Sequence, residues 1–160
     1  MAEPVKLTPE MQRLIAEQRL GFVATVCADG TPNLSPKGTT AVWDDEHIVF
    51  ADICSPGTVE NLRERPGIEI TIVDQVSRRG FRFKGTAAVH DGGPLFDRGL
   101  AFYRRRGSKS PIRSIVLMRV ERALPVISPA YDQGQTEAEI RTSWRAYWHG
   151  LYEGGAASAE

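Results

Sequence analysis

The sequence predicts a mainly β fold: a β-barrel of about six to seven mostly antiparallel strands with peripheral helices, in a single domain over 1–160. Three observations carry this. The turn signals Asp29-Gly30 and Asp44-Asp45-Glu46 each sit between short β-rich runs, as hairpins require. Ile68, Ile70 and Ile72 alternate with Glu69 and Thr71, and Phe81 and Phe83 alternate with Arg82 and Lys84, the period of half-buried strands. Strands and helices do not alternate regularly, and no GxGxxG or Walker loop is present, which argues against a doubly wound parallel sheet.

In chain order, residues 8–20 read as a helix. Thr8 is placed to cap it, Pro9 suits its first position, and Met11, Leu14 and Ile15 form an apolar stripe ended by Gly21. The barrel is expected over 22–128. It begins with Phe22 to Ala28 and a return strand from Pro32 to Thr39, whose Pro32, Pro36 and Gly38 suit an edge position. Ala41-Val42-Trp43 and His47 to Asp52 make a second hairpin. Pro56 to Arg65 reads as a short helix, stopped by Pro66-Gly67. Strands follow at 68–72 and from Phe81 to about Val89, then a helix from Pro94 to Arg106 closed by Gly107, then a β-rich run from Ser114 to Ile127. Thr136-Glu137-Ala138-Glu139 is a capping box that opens a last helix over 136–153, with Ile140, Trp144, Tyr147, Trp148 and Leu151 on one face. Gly154 to Glu160 read as a frayed tail.

Composition narrows the function classes. Twenty Lys plus Arg against twenty Asp plus Glu give zero net charge, unlike a dedicated duplex-DNA binder, and remove a barrier to self-association. No run of apolar residues is long enough to span a membrane, and Met1-Ala2-Glu3-Pro4 lacks a signal-peptide pattern. Cys27 and Cys54 have no CxxC spacing, and His47, His90 and His149 are scattered, so no metal site is expected. Two reduced thiols fit a cytoplasmic protein.

Three segments are candidates for chemistry. In Asp52-Ile53-Cys54-Ser55-Pro56-Gly57-Thr58-Val59-Glu60-Asn61, a strand ends and Ser55-Pro56 opens a helix. The hydroxyls of Ser55 and Thr58, the helix-start N–H groups and Asn61 one turn on suggest an anion cradle; a merely capped helix gives the same pattern. In Arg78-Arg79-Gly80-Phe81-Arg82-Phe83-Lys84-Gly85, alternation puts Arg82 and Lys84 on one strand face with Arg79 at its start, either a phosphate clamp or a solvated face. In Asn33-Leu34-Ser35-Pro36-Lys37-Gly38-Thr39, the prolines and glycine let the backbone approach a flat ligand, with Lys37 to balance negative charge; an ordinary edge strand reads the same way. Together they point to a ligand flat at one end and phosphorylated at the other.

In this order the segments resemble the pyridoxamine 5'-phosphate oxidase-like family of FMN-binding split β-barrels, over about residues 10–128. Ser128-Pro129-Ala130-Tyr131-Asp132 and the capped helix after it resemble an uncharacterised bacterial branch. The resemblance implies a homodimer with FMN in clefts at the subunit interface. It places Ser35, Pro36, Lys37 and Gly38 beside the flavin ring. Asp52, Ser55, Thr58 and Asn61 fall by the phosphate, and Arg79 and Arg82 complete the grip. Departures are Gly57-Thr58 where the oxidase has an Arg-Lys pair, and Gly80 where it has Gln. The oxidase's substrate-phosphate residues have no clear counterparts, so synthesis of pyridoxal phosphate is not expected. Trp144 and Trp148 are candidates for the substrate side, or else core or interface aromatics. Arg104, Arg105, Arg106, Lys109 and Arg113 either attract an anionic substrate or form a solvated face. The expected activity is an FMN-dependent oxidoreductase acting on a small molecule. Alternatives are a non-catalytic module for FMN or haem, a deazaflavin reductase, and a nucleic-acid binder, the last opposed by the net charge.

Overall fold

Seven strands, every neighbouring pair antiparallel, join into one curled sheet in the computed structural model of the chain, which describes residues 5–153. The elements are α1 (Pro9–Gln18), β1 (Gly21–Val26), β2 (Pro32–Lys37), β3 (Ala41–Val42), β4 (His47–Asp52), α2 (Pro56–Glu64), β5 (Gly67–Asp74), β6 (Arg79–His90), α3 (Gly93–Arg105), β7 (Ser114–Ile127) and α4 (Glu137–Tyr152). The sheet order is β2-β1-β5-β6-β7-β4-β3, a split barrel whose two ends are β2 and β3. The expectations for the first four residues and for the 154–160 tail lie outside the described residues.

Local chemistry accounts for most boundaries. Thr8 accepts the Met11 N–H on its hydroxyl and Pro9 opens α1. The helix stops earlier than expected, because Arg19 takes the left-handed conformation (φ 55°) and returns its N–H to the Ile15 carbonyl. Gly21 is therefore the first residue of β1 rather than a helix stop. Its small size serves packing: a Cβ there would sit 2.6 Å from Thr40 Oγ1. Between β1 and β2, Gly30 has φ 83° and Asp29 accepts the Thr31 N–H, so the turn forms where the Asp-Gly pair placed it. A β-bulge at Lys84/Gly85 bends β6, where any Cβ on Gly85 would strike the Arg119 carbonyl.

The concave face of the sheet holds the main core: Val23, Ile48, Phe50, Ile70, Ile72, Phe83, Val116, Met118 and Val120, closed by Ile15 of α1 and Leu62 of α2. A second cluster lies under α3, where Tyr103 meets Ala41, Val49, Ala51 and Ile115. No helix among the described residues is long and apolar enough to cross a membrane.

The capping box at Thr136 and Glu139 is present, but α4 is not a core helix. Ile140 is its one buried residue, and Tyr147 and Leu151 of the expected apolar face are each 53% exposed. Ion pairs tether it instead, Arg141 to Asp74 of β5 (3.1 Å) and Glu137 to Arg79 of β6 (3.2 Å), while Arg141 and Glu137 also pair within the helix (2.8 Å).

Candidate functional site

The alternation of β2 sends Asn33, Ser35 and Lys37 to the side facing α2, and Leu34 and Pro36 to the other. Lys37, the last residue of the strand, is 5% exposed. Its ammonium donates to the hydroxyl of Ser35 and to that of Ser55 (2.6 Å), the residue just before α2. It meets no carboxylate at ion-pair distance among the described residues. Burial pulls its pKa down, with the nearby Asp52 charge working the other way. Asp52 is itself engaged, accepting the Ser55 N–H (2.7 Å) and so fixing the corner between β4 and α2. The Ser55 hydroxyl was expected to cap α2; it turns to Lys37 instead, because Asp52 already secures the backbone there.

Thr58 and Asn61 lie in the same region but point into the seam between α2 and the β1–β2 hairpin. Asn61 donates to Thr25 Oγ1 (3.0 Å) and to Cys27 Sγ (3.6 Å). Asn33 donates to Thr25 (3.1 Å) and Thr58 (3.3 Å). Thr25, Thr58 and Asn61 are all buried and joined in one side-chain network beside the Lys37 cluster. Sequence reasoning missed Thr25, and Asn33 as an anchor. Alternation from the Asp29-Gly30 turn was the available signal, since Asn33 pairs with Thr25 across the hairpin.

The two arginines stand apart from this cluster. Pro36, Phe22, Thr71, Arg82 and Leu124 form one row across β2, β1, β5, β6 and β7. Arg82 is thus three strand spacings from Pro36, about 14 Å along the sheet. It pairs with Glu69, which also takes Lys84 (3.2 Å), so the expected clamp holds a cross-strand carboxylate within the chain. Arg79 is spent on Glu137 and lies over the Tyr131 ring at 4.5 Å. Arg78 covers Trp144 at 4.1 Å, and Trp144, Tyr147, Trp148 and Tyr152 run as contacting rings along α4. Trp148 Nε1 is buried with no hydrogen-bond partner among the described residues. No group of three or more His, Cys, Asp or Glu that could hold a metal occurs among them either.

The cluster stands where an edge strand meets a helix start in a split barrel, and the sequence matches the family described as pyridoxamine 5'-phosphate oxidase over residues 7–126. The chain belongs to the pyridoxamine 5'-phosphate oxidase-like family. Its split barrel is similar to that of HupZ from Group A Streptococcus, at 33% identity and TM-score 0.68, covering 76% of this chain and 94% of that one. An FMN-binding protein from Syntrophomonas wolfei shares the fold at 19% identity and TM-score 0.64, over 76% of this chain and 87% of that one. The uncharacterized protein MJ0282 of Methanocaldococcus jannaschii is 32% identical over 91 residues, 56% of this chain and 60% of that relative's length.

Proposed function

We propose that this chain is an FMN-binding flavoprotein, a homodimer that carries out oxidoreductase chemistry on a small molecule. The observation that carries the reading is the Lys37 ammonium, buried among hydroxyls with no carboxylate within ion-pair distance among the described residues and only the charge of Asp52 nearby. Such a cation is costly to bury unless an anion completes its surroundings. It lies at the start of α2, where helix-terminal N–H groups and the helix dipole add attraction for phosphate. This donor set fits the phosphate end of FMN. Lys37, Ser35 and Ser55 hold that end, Thr58 and Asn61 set the tilt of α2 beneath it, and the Pro36-Lys37-Gly38 backbone borders the ring.

Bound FMN supplies the hydride or electron transfer, while the chain binds it, orients it and excludes water. Arg79 and Arg82, three strands from the cluster, reach the ligand held by a second copy in this reading. Trp144 and Trp148 border the substrate. The two free cysteines suit a reducing cytoplasm.

The test is direct. Purified protein titrated with FMN should quench flavin fluorescence saturably, and Lys37→Met should weaken that binding at least tenfold, as loss of a hydrogen bond to a charged group implies. Unchanged affinity in Lys37→Met, or a protein that takes up haem or a deazaflavin but not FMN, overturns the reading.

A further inference from the structure

The last helix is fastened to the molecule through a single turn, the one between β5 and β6. Asp74, which ends β5, takes Arg141 (3.1 Å), Arg78 lies over the Trp144 ring at 4.1 Å, and Arg79, which opens β6, takes Glu137 (3.2 Å). Ile140 is the one buried residue of α4, and no other helix or strand among the described residues lies closely along it. We infer that α4 is a strap that competes with bound FMN for Arg79: Glu137 holds the guanidinium in the ligand-free chain, and FMN on a second copy takes it and sets α4 loose. This regulation rests on the flavin reading above, in which Arg79 reaches a ligand held by a second copy.

The attachment is weak. A helix draws most of its stability from a packed apolar face, and on α4 that face is left half open, with Tyr147 and Leu151 each 53% exposed. Between α4 and α1 lies a recess of about 440 Å3, lined by Arg13 and Leu14 of α1, Phe81 of β6 and Val126 of β7. Side-chain packing therefore does not hold the helix down on that side. Ion pairs remain, and partly exposed pairs hold weakly.

The segment that leads into α4 is fixed by contrast. Ser128 donates its N–H to the Arg78 carbonyl (3.1 Å), and the Tyr131 hydroxyl donates to the Ser77 carbonyl (2.7 Å). Gly134, in the left-handed region at φ 85°, follows before the Thr136 cap and supplies the pivot. The Tyr131 ring also lies under Arg79 at 4.5 Å, so the guanidinium keeps its place when Glu137 leaves.

Charge favours the exchange. Glu137 offers one carboxylate, already shared with Arg141 (2.8 Å). FMN brings a phosphate of about −1.5 to −2 charge at pH 7, whose oxygens match the guanidinium fork. Such coupling is reciprocal: the factor by which FMN weakens α4 docking is the factor by which docked α4 weakens FMN binding.

The experiment is hydrogen exchange of the full chain with and without FMN, joined to fluorescence titration of the same samples. Saturating FMN should speed exchange of the α4 amides about tenfold while β6 and β7 stay protected. Glu137→Gln and Arg141→Gln, both at partly exposed positions, should each loosen α4 without ligand and tighten FMN binding about fivefold. Arg141→Gln is the decisive variant. It removes a positive charge, so simple attraction for the phosphate predicts weaker binding, whereas a released strap predicts tighter. Exchange in α4 that FMN leaves unchanged or slows, or weaker binding in Arg141→Gln, overturns the strap and leaves the flavin reading standing. Absence of flavin quenching in the wild type and in both variants rejects the flavin reading and the strap with it.

Discussion

Lys37 is the residue on which the candidate site turns, and its burial has a pH signature. Its folded pKa lies below the ordinary lysine value, so at alkaline pH the unfolded chain holds the proton longer than the folded one. The cost of the buried charge is fully present below the folded pKa and is relieved as pH rises from there to the unfolded value. Stability of the ligand-free protein should therefore rise with pH in that alkaline window, and chemical denaturation should show the slope vanish in Lys37→Met. Phosphate or FMN affinity should fall over the same window. Asn61 makes a different case. Asn61→Ala strips Thr25 of a buried partner and should destabilise by about 1–3 kcal/mol in denaturant melts, shifting ligand affinity only through α2. Ser55 was legible as a candidate because a hydroxyl just before Pro56 announces anion chemistry at a helix start, and Lys37 because it is a cation on an interrupted edge strand; that the two side chains meet was not. That Arg82 serves Glu69, and that Thr58 and Asn61 face inward, was not legible. Both depend on which residue lies across from which, and one chain read in order does not contain that register.

The elements themselves were largely readable, since each has a local cause: the Asp29-Gly30 turn, the isoleucine alternation of β5, the Pro56 start of α2 and the capping box of α4. What stayed hidden was produced by tertiary contact. The bulge at Gly85 exists because β6 must curl past Arg119, and the helical spacing of Trp144 and Trp148 says nothing about how much of them is covered. The attachment of α4 can be measured as a property of that element alone. Burial of Asp74 pushes its carboxyl up, but bonds from the Val76 N–H and Ser77 and the Arg141 charge outweigh this and hold it low; bonds and charges from Arg141 and Arg79 lower Glu137 as well. Their contribution is present above the ordinary carboxylate range and is lost as pH falls through the depressed values. Arg141→Gln should raise amide hydrogen exchange across α4 while β6 and β7 stay protected. Global stability should change by less than about 1 kcal/mol, as for partly exposed ion pairs.

At the scale of the molecule, Phe22 (43% exposed), Val26 (44%) and Leu34 (66%) leave an apolar outer face on the β1–β2 hairpin. In the proposed homodimer this face is covered by the second copy, which also brings Arg79 and Arg82 to the ligand. Leu34→Asp should then yield a monomer by sedimentation velocity and weaken FMN binding in parallel; a dimer with unchanged affinity would separate this face from the site. The strand that carries Lys37 is also one end of an open sheet. Its backbone is a template on which a stray chain could add itself, the route to runaway fibrous association. Pro32 and Pro36 each lack an N–H and interrupt that template, so the prolines beside the ligand double as a guard against polymerisation. A Pro32→Thr, Pro36→Thr double variant would keep Ser35 and Lys37 yet lose solubility on concentration.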